Sequence, residues 1–126
     1  MWETWSPSWH FTDETYNGTA PSFDNPDFVD IVIHSYRHRI GNAPGEPRFL
    51  EMERKLAERP KINVPVITLY GTDDGIARPA AESPAEKMQM PALIARRVIA
   101  GGGHFLPREK PDTVVAALLE VLAGSK

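Results

Sequence analysis

The chain has 126 residues, 41% hydrophobic and 25% charged, enough for one domain with a modest core and unlike a disordered chain. Its 14 basic and 17 acidic residues give a net charge of −3 without a long single-sign run, a balance that argues against nucleic acid or an anionic membrane as partner. Cysteine is absent, which excludes disulfides, thiolate metal sites and thiol catalysis. No apolar stretch approaches the ~20 residues of a membrane span, and Met1-Trp2-Glu3-Thr4-Trp5 lacks a secretory signal pattern, so a cytoplasmic protein is expected.

Residues 1–24 hold all three tryptophans, Trp2, Trp5 and Trp9, among Ser, Thr, Pro and Gly, and predict irregular chain or short helical turns pinned by aromatic anchors. Asn17-Gly18-Thr19 reads as a turn rather than a glycosylation site. Asn25 as cap, Pro26 in the first turn, Asp27 and Asp30 at the positive end and Gly41 as a stop predict a helix over about 26–40. Phe28, Val32, Tyr36 and Ile40 form its apolar stripe. A Gly- and Pro-rich loop over 42–47 precedes a second helix to Arg59, with Phe49, Met52 and Leu56 inward and Pro60 as its end.

Beyond Pro60 the pattern changes. Val64 to Tyr70 is a nearly continuous β-branched and apolar run, as in a parallel strand covered on both faces, with Pro65 tolerable near its start. Pro79 to Met90 is helix-compatible although Pro84 interrupts it, Leu93 to Ile99 is a second strand, and Pro111 to Leu122 is an amphipathic helix. The order strand, helix, strand, helix places both strand C-terminal ends at one edge, where α/β folds keep their chemistry.

That edge carries Tyr70-Gly71-Thr72-Asp73-Asp74-Gly75 and Gly101-Gly102-Gly103-His104-Phe105. An acid after one strand and a histidine on the turn after the next are the last two members of a nucleophile–acid–base site. A carboxylate holds the imidazole in one tautomer and stabilises the imidazolium formed when the ring takes a proton.

These residues resemble the α/β-hydrolase fold. Gly71-x-x-Asp74 followed by Pro79, then Gly103-His104-Phe105 and Glu109-x-Pro111, are similar to its acid and histidine segments. Residues 1–60 resemble the second half of the helical cap in the branch of epoxide hydrolases and haloalkane dehalogenases, and His34-Ser35-Tyr36-Arg37 is similar to the cap motif whose tyrosine holds the epoxide oxygen. The resemblance covers most of the chain. It implies an α/β architecture: a helical cap segment over 1–60 and the C-terminal β-α-β-α part of the catalytic domain, with parallel strands, over 61–126. Strands one to six of that fold, its nucleophile and its main oxyanion donors have no counterpart in the sequence.

The resemblance further implies that Asp74 orients His104 and that His104 is the base. In an epoxide hydrolase an aspartate absent from this chain would open the ring and form an ester, Tyr36 would donate to the alkoxide, and His104 would activate water. In an esterase the absent nucleophile would be a serine. Neither version, nor cleavage of a carbon–halogen bond, implies a metal or organic cofactor; the substrate is expected to be small and largely apolar.

Alternatives stay open at each residue. Asp73 competes with Asp74, which is favoured as the third residue after Gly71. Tyr36 lies on a stripe that could be core. His34 and His38, four apart, could grip a metal, but solvated or capping roles suit them better. Trp2, Trp5 and Trp9 could line a substrate pocket or serve as packing anchors, and Arg37, Arg39, Arg96 and Arg97 suit a solvated face or local ion pairs. Two functions follow: a hydrolase portion completing a triad begun elsewhere, or a non-catalytic module that associates with itself as a homo-oligomer or with a complementary N-terminal chain. Two parallel strands alone leave open edges, which motivates the second.

Overall fold

The computed structural model describes residues 1–81 and 84–124. In chain order the elements are α1 (Trp2–Trp5), α2 (Asp13–Asn17), α3 (Phe28–Arg39), α4 (Leu50–Ala57), β1 (Val66–Gly71), α5 (Pro84–Gln89), β2 (Leu93–Ile99), α6 (Leu106–Glu109) and α7 (Pro111–Gly124), with 3₁₀ turns at Ala20–Asp24 and Pro47–Phe49. None of the described helices is long and apolar enough to cross a membrane. The chain forms two compact units, one of Met1–His10 with the residues from Pro60 onward, the other of Phe11–Arg59. The first ten residues thus pack with the second half of the chain rather than with the helices that follow them.

The Phe11–Arg59 unit is helical. Thr12 caps α2 by accepting from the Thr15 N–H (3.2 Å). Asn25 does not cap α3; its Oδ1 accepts from the Asp27 N–H (2.9 Å) in an Asx turn that sets the helix start at Phe28. Gly41 supplies the expected stop. At φ +80° it completes a Schellman motif, its N–H bonding the His38 carbonyl (3.0 Å) and that of Asn42 the Arg37 carbonyl (2.7 Å). His38 ties α3 to α4 through Glu53 Oε1 (3.1 Å) and to the loop through the Ala43 carbonyl (3.3 Å).

The expected inward stripes are covered only in part. Phe28 and Val32 are half-buried, but Tyr36 and Ile40 are 45% and 68% exposed, and Phe49, Met52 and Leu56 are 42%, 58% and 63% exposed. An apolar stripe marks the face a helix can bury, and burial still needs a covering element. This small unit provides one only toward the start of α3, where Phe23 meets Phe28.

In the other unit β1 and β2 pair in parallel, Val66 opposite Leu93 and Gly71 opposite Ile99. Alternate β1 side chains serve opposite faces. Ile67 and Leu69 share an apolar pocket with Val114, Ala117, Leu118 and Val121 of α7. Thr68 and Tyr70 give their hydroxyls to Glu86 of α5, at 3.4 and 2.9 Å. Arg96 of β2 pairs with the same carboxylate (3.3 Å) and lies 4.4 Å over the Tyr70 ring, while Arg97 makes two bonds to Glu120 of α7 (2.8 and 2.7 Å). Pro84 was expected to interrupt a helix over 79–90; it begins α5 instead, because a first-turn proline forfeits no helical hydrogen bond. Residues 82–83 of that expected helix lie outside the described residues.

Among the described residues the only buried apolar side chains are Leu106 and Ala117. The other buried positions are Ser6, Gly71, Asp74, Gly102 and Gly103. Apart from Ala117, the buried positions belong to the strand C-terminal edge and to Ser6, which bonds to it.

Candidate active site

Two turns build the site. The turn after β1 presents Asp73 and Asp74; the turn after β2 passes through Gly101, at φ +63°, to His104 and α6. Backbone bonds lock them together: the Thr72 N–H donates to the Ile99 carbonyl (3.0 Å) and the Asp73 N–H to the Gly102 carbonyl (2.9 Å). The Gly101 N–H adds a bond to Thr72 Oγ1 (2.9 Å).

Asp74 is 9% exposed and faces His104 with both oxygens, Oδ1 and Oδ2 lying 3.1 and 3.0 Å from Nδ1. Oδ1 also accepts the N–H groups of Ile76 and Ala77, each at 2.8 Å. Burial pushes this carboxyl's pKa up, but the N–H groups of Ala77 and Ile76, together with the bond and charge of His104, outweigh burial and hold it below the ordinary value. An ionised Asp74 can only accept, so Nδ1 carries the hydrogen and Nε2 of the neutral ring presents a lone pair. The His104 side chain is 33% exposed, so that lone pair belongs to a ring open to solvent.

The backbone of the histidine turn is held by residues far away in sequence. The His104 N–H reaches Ser6 Oγ (2.9 Å) and the Trp5 carbonyl (3.2 Å), and the Gly75 N–H bonds the same carbonyl (2.9 Å). Glu109 accepts from Ser6 Oγ (2.6 Å), Gly103 N–H (2.6 Å) and Phe105 N–H (2.8 Å). Trp2, Trp5 and Trp9 pack round Phe105 with ring centroids 6.0, 6.0 and 6.1 Å away, and Trp5 meets the His104 ring edge-on at 5.1 Å. The tryptophans thus act as packing anchors around the histidine turn.

The structure brings Asp74 and His104 together. Asp73 turns elsewhere: its carboxylate accepts from Ser8 and, at 2.7 Å, from Thr72. Tyr36 stands on α3 in the other unit, half exposed, with Arg39 5.2 Å from its ring centre. His34 and His38 stack in parallel 6.3 Å apart, and among the described residues no group of three ligands for a metal occurs. Sequence reasoning missed Ser6, and it met Glu109 only as part of a motif. The one available signal was Ser6's place between Trp5 and Trp9, in a segment dense with anchors.

No protein-family model matches the sequence, and a search of curated proteins finds no match. Among solved structures the chain is similar to a Klebsiella pneumoniae protein provisionally described as an epoxide hydrolase, with 38% identity and a TM-score of 0.85 over 95% of this chain. The chain spans 39% of that protein's length. The likeness takes in nearly the whole of this chain, its two-stranded parallel sheet being part of a larger α/β-hydrolase sheet. This chain has the fold of a C-terminal portion of an α/β-hydrolase.

Proposed function

We propose that Asp74 and His104 are the acid and base of a nucleophile–histidine–acid triad that hydrolyses a small, largely apolar epoxide. The nucleophile comes from a complementary chain or segment carrying the rest of the sheet. The observation that carries this reading is the two-oxygen contact of Asp74 on Nδ1, which leaves Nε2 as the basic nitrogen. A carboxylate nucleophile would attack a ring carbon, forming an ester as the ring C–O bond breaks, and the alkoxide would take the Tyr36 phenol proton. His104 Nε2 would then remove a proton from water as it attacks the ester carbonyl; collapse releases the diol and the carboxylate, and the proton left on the imidazolium is returned through solvent to the Tyr36 phenolate, restoring both groups. Support for a partner comes from β1, which among the described residues pairs with β2 alone, and from the 39% coverage of the Klebsiella protein.

The test is a chimera in which the N-terminal portion of the Klebsiella protein precedes Met1. Epoxide hydrolysis that His104→Ala abolishes is expected, whereas the chain by itself should show none. A folded chimera inactive on epoxides, activated esters and haloalkanes would end the hydrolase reading.

A second reading, a non-catalytic module that self-associates, is favoured by the apolar face of α7, where Leu118, Leu119 and Leu122 are 56%, 60% and 57% exposed. Light scattering at micromolar concentration decides it: a monomer rules self-association out.

A further inference from the structure

We infer that Ser6 is a positioning residue for His104, acting with Glu109 and the Trp5 carbonyl as a strut between the histidine turn and the acid turn. Its bearing on catalysis rests on the triad reading above; the geometry of the strut does not.

Ser6 is 0% exposed, the one fully buried side chain among the described residues. Burying a hydroxyl is unfavourable unless its hydrogen-bonding capacity is used, and here it is. Oγ donates to Glu109 Oε1 (2.6 Å) and accepts from the N–H groups of His104 (2.9 Å) and Phe105 (3.4 Å). The Glu109 carboxylate, partly exposed, takes the Gly103 and Phe105 N–H groups as well, so three successive amides of the histidine turn converge on the Ser6 hydroxyl and the Glu109 carboxylate. The fit is tight: a Cβ on Gly103 would lie 2.6 Å from Ser6 Oγ.

The preceding residue extends the strut to the acid turn, since the Trp5 carbonyl accepts from both Gly75 and His104. Apart from the Asp74–His104 side-chain contact, the other bonds between the two turns involve residues 99–102 of the histidine turn, before His104 itself. The backbone N–H of His104 therefore depends on the Trp5-Ser6 dipeptide. The same geometry excludes Ser6 as a nucleophile: its hydroxyl is inaccessible, and its proton points at Glu109 rather than at the imidazole.

Removing Oγ leaves Glu109 short of one donor and the His104 N–H with the longer Trp5 bond alone. The ring can then leave the position in which both Asp74 oxygens meet Nδ1. A residue that merely stabilised the fold would change the unfolding midpoint and leave the imidazole tautomer as it was.

The experiment is nitrogen NMR of the full chain with labelled histidine. The wild type should show His104 with a protonated Nδ1, a bare Nε2 and a slowly exchanging Nδ1–H proton. Ser6→Ala is expected to abolish that proton signal and mix the tautomers while the amide spectrum stays dispersed. Glu109→Gln should do the same with Ser6 intact, and it decides the matter if Ser6→Ala fails to fold. Folded Ser6→Ala or Glu109→Gln that keeps the wild-type His104 pattern overturns the proposal, as does a wild type lacking that pattern. In the chimera, Ser6→Ala should lower kcat on the order of 100-fold at unchanged KM, the scale of a catalytic group misplaced by about 1 Å. Altered NMR with an inactive chimera would sink the hydrolase reading and leave the strut. An active chimera indifferent to Ser6→Ala would do the reverse.

Discussion

Gly71, the last residue of β1, and Gly102, in the turn after β2, pass backbone against backbone: a Cβ on Gly71 would fall 2.1 Å from the Gly102 carbonyl oxygen and 2.8 Å from that of Gly103. The closeness of the acid and histidine turns therefore depends on a missing side chain. Gly71→Ala must push the turns apart, and destabilisation of about 1–3 kcal/mol or more is expected from urea unfolding. Gly41→Ala provides the contrast, since its Cβ meets nothing within 4 Å and only its φ of +80° is strained; about 1 kcal/mol is expected there. Loss of the His104 Nδ1–H signal should accompany the first substitution and not the second.

Acid should weaken the fold through Asp74. Burial opposes its ionisation, yet the Ala77 and Ile76 N–H groups and His104 leave its pKa below 3.8. A carboxyl depressed in the folded state stabilises that state above its unfolded value, about 3.9, and loses the contribution as pH falls through the lower folded value. Stability measured from pH 6 downward should therefore drop more steeply below about pH 4 in the wild type than in Asp74→Asn. Parallel curves would contradict the assignment.

Tyr70 should titrate late. Its bond to Glu86 raises the phenol above 10.0, burial adds to this, and Arg96 pulls only weakly the other way. Near-ultraviolet absorbance should show a component that Tyr70→Phe removes and that Glu86→Gln moves back toward 10.0. A curve unaltered by Glu86→Gln would mean that the hydrogen bond does not form.

Tyr36→Phe should separate stability from activity. The phenol is on a 45%-exposed residue, so its loss should change stability by no more than about 0.5 kcal/mol. In the chimera, epoxide turnover should fall on the order of 100-fold, as when one donor to a developing oxyanion is removed. Ester hydrolysis should not follow it. Equal losses on both substrates would take Tyr36 out of the ring-opening step.

What the sequence made legible was local. Val66 to Tyr70 lies in a strand as its β-branched and apolar run predicts, and Gly41 stops α3 because a left-handed turn needs a residue without Cβ. Asp74 and His104 could be paired because both follow parallel strands, which forces their turns to one edge. Ser6 carried no such mark, since its hydrogen-bond partners lie 98–103 residues away and no period links them. The stripes of α3 and α4 misled for a related reason: periodicity tells which side of a helix can be covered, and the cover is a tertiary fact. Pro84 was misread because a proline's meaning depends on whether it stands inside a helix or in its first turn.

The path of the backbone carries one more consequence. It leaves the body holding Asp74 and His104 after His10 and rejoins it at Pro60. The intervening stretch is thus an excursion whose two ends are anchored in the same frame. The backbone bonds that join the acid turn to the histidine turn are all made by residues outside it, Trp5, Thr72, Asp73, Gly75, Ile99, Gly102 and His104. A substitution in the excursion therefore reaches that frame only through the two points where the chain leaves and returns.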